Sequence, residues 1–210
     1  MVNTIELTLE IDGTAPMSAS AVERVAAFCD RVHDHGGPGV ARFALSGAPG
    51  EGWSREVSVG LVTKWERTVR RLEQLPVTTV ALVSGDCGGT ALDVLLTADV
   101  RVATPGTRLI LPVAGGATWP GMTLYRLVQQ AGAGAIRRAV LLGAPIDADR
   151  AVAARLLDEV TDDPSPVVAG DRELAVRRLL LSEAATTSFE EALGAHLAAC
   201  DRALRKAAVS

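Results

Sequence analysis

Apolar and polar residues alternate over TIELTLEI (4–11), the period of a strand with one buried face. The period then changes. A helix is expected from near Ser20, where SAVE (20–23) has the form of a capping box, with Val22, Val25, Cys29 and Val32 on one face. GGP (36–38) ends it. VARFALSG (40–47) predicts the next strand and GAPGEG (47–52) a loop. From about residue 57 to 75 the helical spacing returns, with Leu61, Trp65, Thr68, Leu72 and Leu75 as the buried stripe and Pro76 as the stop. TTVALVSG (78–85) is apolar or β-branched at nearly every position, which predicts a central parallel strand covered on both faces.

Short strands are expected at DVRVAT (99–104) and TRLILP (107–112), then a loop rich in Gly and Pro, then helical segments near 122–131 and 134–142. DADRAVAARLL (147–157) predicts a helix capped by Asp147, and DEV (158–160) a last strand. TDDPSP (161–166) has linker composition, and two helices follow, about 171–183 and 188–206. The second carries a stripe of Phe189, Leu193, Leu197, Cys200 and Leu204, which either covers its own core or meets another subunit. Strands alternating with helices predict an α/β core of βαβ units over residues 1–163, with a helical region at 164–210.

Composition narrows the function classes. A formal charge of −4, with bases diluted among acids, disfavours a nucleic-acid partner. No apolar run approaches the roughly 20 residues of a membrane span, so no membrane partner is expected. The first residues, MVNTIELTLEID, hold no basic run and carry acids early, unlike a secretory signal. Cys29, Cys87 and Cys200 are odd in number and far apart, which suits free thiols in a reducing cytoplasm. His33, His35 and His196 give no zinc spacing, and no metal site is expected.

The candidate chemistry lies in SGDCGGTALDVLLTAD (84–99). A parallel strand is expected to end at Ser84 and a helix to begin near Gly89, where the first N–H groups lack partners and favour negative charge. Gly88 and Gly89 let another group approach that backbone, or merely form a tight turn. Asp93, three residues past Thr90, sits on the same face one turn in. It is a candidate acid–base group, or a structural carboxylate at the helix end. Asp86 is a turn residue or a second carboxylate close by. Cys87 is a buried small residue or a nucleophile. Arg67, Arg70 and Arg71 form a solvated basic face or meet phosphates. There is no GxGxxG, no Walker lysine and no GxSxG elbow.

Three stretches carry a family resemblance. VSGDCGGTALDVLLTADVRVA (83–103), RLILPVAGGATWPG (108–121) and GAGAIRRAVLLGAPIDADRAVAARLLDEV (132–160) resemble the crotonase (enoyl-CoA hydratase/isomerase) family. The resemblance implies a crotonase-like ββα-superhelix core, a CoA-thioester substrate and no cofactor beyond that CoA. It implies a trimer or a hexamer, built partly by the C-terminal helices. It puts the oxyanion N–H at Thr90, with Gly89 as fallback, and the first catalytic carboxylate at Asp93. The family's second carboxylate falls on Val113, and its other oxyanion donor near Arg55 to Val57. Trp119 could wall an acyl pocket. Asp99 matches a family position and reads as structural.

The short chain, the contracted loop after the third-strand region and KWERTVRRLEQLP (64–76) are further similar to the small B-component group of the 3,5-dihydroxyphenylacetyl-CoA pathway. That group works beside a type III polyketide synthase and a second crotonase homologue in clusters that make dihydroxyphenylglycine for glycopeptide antibiotics. The expected activity is cyclisation and dehydration of a polyketide-derived CoA thioester. The alternative is an accessory subunit without chemistry of its own.

Overall fold

The computed structural model describes residues 5–37, 39–163, 174–184 and 186–208. The chain divides into two units, Met1–Gly170 and Asp171–Ser210. Among the described residues, no helix is long and apolar enough to cross a membrane.

The first unit runs β1 (Ile5–Asp12), α1 (Ala19–His35), β2 (Gly39–Gly47), α2 (Val59–Glu73), β3 (Thr78–Gly88), α3 (Thr90–Leu95), β4 (Val100–Ala103), β5 (Arg108–Ile110), β6 (Val113–Ala114), β7 (Ala117–Thr118), α4 (Met122–Leu142), β8 (Ile146–Asp147), α5 (Ala148–Ala153) and β9 (Glu159–Val160). Strands order β1-β2-β3-β4-β9, all parallel. β5 pairs parallel with the far end of β3 and antiparallel with β8. Helices α1, α2 and α3 supply the apolar cover, through Val25, Phe28, Cys29 and Val32, then Trp65, Val69 and Leu72, then Ala91, Leu92, Val94 and Leu95, all buried.

The α1 cap lies two residues earlier than the sequence suggests. Ser18 accepts from Ala21 N at 3.2 Å, while Ser20 turns its hydroxyl to that of Ser18. α5 is shorter than expected because Leu156 and Leu157 are both buried. To bury them the chain folds back on the Ala151 carbonyl, and Arg155 takes a left-handed φ of 59°. Asp147 is the N-cap of α5 by position, yet its side chain makes no cap bond. The helix over 122–142 breaks at Gly132, between the two expected segments. The expected loop at 112–121 holds a small hairpin. Gly115 and Gly116, both at positive φ, form its tip as a two-residue turn requires.

β3 does not stop at Ser84. It bends at Gly85 (φ 65°) and slips register against β2, which it meets again at Cys87, while its last residues, Asp86–Gly88, pair with β5 in place of β4. This bend brings three backbones together. A Cβ on Gly13 would lie 2.3 Å from the Gly47 carbonyl oxygen and 2.5 Å from that of Gly88. One on Gly88 would lie 2.6 Å from the Ile110 oxygen. What approaches these glycines is the protein's own chain.

The second unit holds α6 (Leu174–Ala184) and α7 (Phe189–Ala207), which pack on each other. Ser188 and Glu191 form a reciprocal capping box at the start of α7. Its stripe is uncovered, with Phe189, Leu193, Leu197 and Leu204 exposed along with Cys200. The linker beyond Asp163 and the expected helix start near 171 lie outside the described residues.

Candidate active site

A small cavity lies at the junction of β3 and α3. Gly13, Met17, Pro49, Trp53 and Pro112 line it with Gly89, Thr90, Asp93, Trp119 and Thr123. Its volume is about 20 Å³, room for one water. Among the described residues, Asp93 is the one ionisable side chain in its lining.

Gly89 precedes α3 at φ 54°, ψ −130°, which only glycine adopts without strain. Thr90 then enters the helix with negative φ, so its side chain costs the backbone nothing. As the first helical residue it has no carbonyl of its own helix to donate to, and among the described residues no acceptor meets its N–H. The mouth of α3 is narrow. The Pro49 ring lies 3.0–3.1 Å from where a Cβ on Gly89 would sit, and proline offers no N–H of its own.

Asp93 is 4% exposed and both its oxygens are occupied. Trp65 Nε1, from α2, donates to Oδ2 at 2.8 Å. The Thr123 hydroxyl, from the first turn of α4, makes a short bond to Oδ1. The carboxyl therefore ties three helices as well as facing the cavity. Burial pushes its pKa up, opposed by these two donors and by the charge of Arg126. Behind it, Arg126 donates to Glu73 at 2.8 Å and to Glu66 at 2.9 Å, and is itself buried. The Glu66 carboxyl is also raised, by burial first and then by the charge of Asp93. A buried carboxyl raised in this way is a better base when ionised and a proton donor nearer neutral pH when not.

Two tryptophans wall the cavity edge-to-face, Trp53 and Trp119, with ring centroids 5.3 Å apart. Trp53 Nε1 donates to the Val113 carbonyl at 2.8 Å, and Trp119 N to that of Pro112 at 2.8 Å. The hairpin β6–β7 is thereby fixed over the mouth. Val113 is half exposed and brings no carboxylate.

Other sequence candidates go elsewhere. Asp86 leaves the cavity and pairs with Arg108 of β5 through two bonds of 2.8 Å, because the bend in β3 registers it directly opposite that residue. Val57 N–H is spent on the Ser54 carbonyl (3.1 Å) and Arg55 N–H on that of Gly52 (3.1 Å), so neither amide is free to hold an oxyanion. Arg70 pairs with Glu73 and Arg71 with Asp30, while Arg67 is exposed. Asp99 accepts both the N–H and the hydroxyl of Thr79 at 2.8 Å, stitching β4 to β3. Cys87 is fully buried. Burial, and then the charge of Asp93, push its thiol pKa up, so it supplies no thiolate.

The sequence reading missed Trp65 and Thr123 as partners of Asp93. One signal was present. A fully buried indole N–H needs an acceptor, and Trp65 stood in the buried stripe.

No family model matches the chain. It is 54% identical over 214 residues to an enoyl-CoA hydratase of Amycolatopsis orientalis, a match covering 98% of this chain and 99% of that protein. Among solved structures it is similar to an enoyl-CoA hydratase of Mycobacterium smegmatis (TM-score 0.79, 15% identity, 97% of this chain and 90% of the other). It is likewise similar to an enoyl-CoA hydratase/isomerase of Marinobacter aquaeolei (TM-score 0.78, 16% identity, 98% and 90%). A family protein of the same kind from Silicibacter pomeroyi gives a TM-score of 0.77 at 18% identity, over 98% and 99%. The structural matches carry the fold and the closer sequence match carries the family: the chain belongs to the crotonase (enoyl-CoA hydratase/isomerase) superfamily.

Proposed function

We propose that this protein is a cytoplasmic hydro-lyase that assists cyclisation and dehydration of a polyketide-derived CoA thioester to 3,5-dihydroxyphenylacetyl-CoA, in a pathway to dihydroxyphenylglycine and antibiotic biosynthesis. The observation that carries it is the single carboxyl in the cavity lining, Asp93, beside the unmet N–H of Thr90. Hydration of a simple enoyl thioester calls on two carboxylates, each worth roughly 10²–10⁴ in rate. Loss of water from a β-hydroxy intermediate already conjugated to further carbonyls needs one proton carrier and a donor to the enolate oxygen. The aromatic product supplies much of the driving force.

In this reading the Thr90 N–H, with Gly89 shaping the turn, holds the thioester oxygen as negative charge develops, worth about 10²–10³. Asp93 takes the α-proton and returns it to the departing hydroxyl. Trp119 walls the acyl group. Asp86, paired with Arg108, and Val57, bonded to Ser54, lie outside the cavity lining and take no part in the step. A type III polyketide synthase and a second crotonase homologue are the partners, and the exposed stripe of α7 joins copies of the chain into a trimer or hexamer.

The test is reconstitution with a type III synthase. This protein should raise the yield of the aromatic CoA thioester, and Asp93→Asn should abolish the gain. A second reading is favoured by the small cavity, which has room for one water. There the chain is an accessory subunit that stimulates the synthase without chemistry, and Asp93→Asn is silent while changes on a contact face abolish stimulation.

A further inference from the structure

We propose that Thr123 relays the proton between Asp93 and the ligand in the cavity. The inference rests on the reading of Asp93 as proton carrier. An indole N–H can donate and cannot accept, so the bond from Trp65 fixes Oδ2 of Asp93 as an acceptor in either charge state. Any proton on the carboxyl is therefore confined to Oδ1, and the partner of Oδ1 is the Thr123 hydroxyl. That hydroxyl has a single hydrogen. With Asp93 ionised, Thr123 donates to Oδ1. With Asp93 protonated, Oδ1 donates to Thr123, whose own hydrogen is released toward the cavity that Thr123 also lines. With both carboxyl oxygens engaged and Asp93 4% exposed, the hydroxyl is the outlet for the proton.

The transfer balances. The substrate α-C–H bond breaks, its electron pair stays on the substrate as the enolate, and the proton passes to Thr123 Oγ1 as the threonine hydrogen moves to Oδ1. In the second half both hydrogens move back. The C–O bond breaks, the departing hydroxide takes the proton and leaves as water, and Asp93 is again ionised. The charged and titratable groups around the carboxyl are Glu66 on α2, Cys87 on β3 and Arg126 on α4.

The experiment has a spectroscopic arm that needs no substrate. Protein labelled with ¹³C at the Asp carboxyls is titrated by NMR as wild type and as Thr123→Val and Thr123→Ser, with Asp93→Asn identifying the signal. Loss of the hydroxyl removes a donor that favours the carboxylate, so the Asp93 midpoint rises in Thr123→Val and returns in Thr123→Ser. An unmoved midpoint overturns the proposal, whatever the activity. In the reconstituted reaction, Thr123→Val should lower kcat by about 10²-fold with KM nearly unchanged, and Thr123→Ser should restore most of it. Wild-type turnover by Thr123→Val beside an inactive Asp93→Asn overturns the relay and leaves the catalytic reading standing. Wild-type turnover by Asp93→Asn overturns the catalytic reading and the relay with it. Should Thr123→Val not fold, a proton inventory in single turnovers of the wild type decides. Two protons in flight bow the plot of rate against deuterium fraction, and a straight line overturns the relay.

Discussion

Trp65 Nε1 and Asp93 Oδ2 lie 2.8 Å apart in the interior, and the bond joins two helices whose residues are 28 positions apart in the chain. This bond, like the one from Thr123 and the charge of Arg126, favours the ionised carboxylate, but burial outweighs all three and pushes the Asp93 pKa up. Its folded value exceeds its unfolded value, near the ordinary 3.9 or so, which means the native state binds more protons in the interval between them. Stability contributed by the neutral form is present below that interval and is lost as pH rises through it. Asparagine mimics the neutral carboxyl, with its carbonyl accepting from Trp65 and its amide donating to Thr123. Asp93→Asn should match wild type near pH 4 and exceed its Tm by several degrees at pH 8, since about 1 kcal/mol moves Tm by about 2–4 °C in a chain of this size. Thermal denaturation at the two pH values checks it. A wild-type Tm that does not fall relative to the variant would count against the raised value.

Arg126 holds two carboxylates, Glu73 and Glu66, from within the protein. Arg126→Met keeps the volume of the stem and removes the charge, leaving the half-buried Glu66 without this counter-ion while Glu73 keeps Arg70. The cost should be about 3–5 kcal/mol near neutral pH, measured by denaturant unfolding. It should shrink in acid, because protonation of Glu66, whose pKa burial already raises, relieves the unpaired charge. A loss that does not vary with pH would assign the effect to packing.

The local parts of this site were legible and the distant ones were not. Thr90 and Asp93 lie one turn apart on a single helix, so spacing alone places them together. The strands were legible for the same reason: Leu7, Leu9 and Ile11 alternate, and the run from Thr78 is apolar on both faces. Thr123 lies 30 positions from Asp93 and Trp65 lies 28, and no local period encodes such a meeting. Asp86 shows the converse. It is close to Asp93 in sequence, yet a bend at Gly85 and pairing with β5 send it to Arg108. The glycines at 88 and 89 offered either room for another group or a tight turn, and strand ends and the Pro49 ring are what lie against them.

The thiols separate the carboxyl chemistry from a cysteine hydrolase. Cys29 and Cys87 are fully buried. Burial pushes the Cys29 pKa up to about 11 and that of Cys87 higher still, whereas Cys200 is exposed on α7. A chromogenic disulfide at pH 8 should titrate one thiol in the native protein and three after denaturation. Cys87→Ala should keep full activity. Rapid labelling of Cys87 in the native protein would revive the nucleophile.

The tryptophan pair sets the size of the cavity, and with it the class of ligand that enters. Trp119 packs edge-to-face on Trp53 over a space of about 20 Å³, so an acyl group reaches the Thr90 N–H only if the hairpin carrying Trp119 yields. Trp119→Ala removes the ring without touching Trp65, Thr90 or Asp93. Truncating a large aromatic costs about 3–5 kcal/mol where it is fully buried, and less at a half-open wall such as this one. The enlarged space should admit small acyl-CoA thioesters more tightly, visible in isothermal titration as a Kd lowered about 10-fold, the loss of a barrier of roughly 1.4 kcal/mol. Turnover of the larger polyketide thioester should fall, because its ring loses the wall that orients it. If Trp119→Ala binds small thioesters no better than wild type and leaves reconstituted turnover unchanged, substrate does not enter past this pair, and the accessory reading gains.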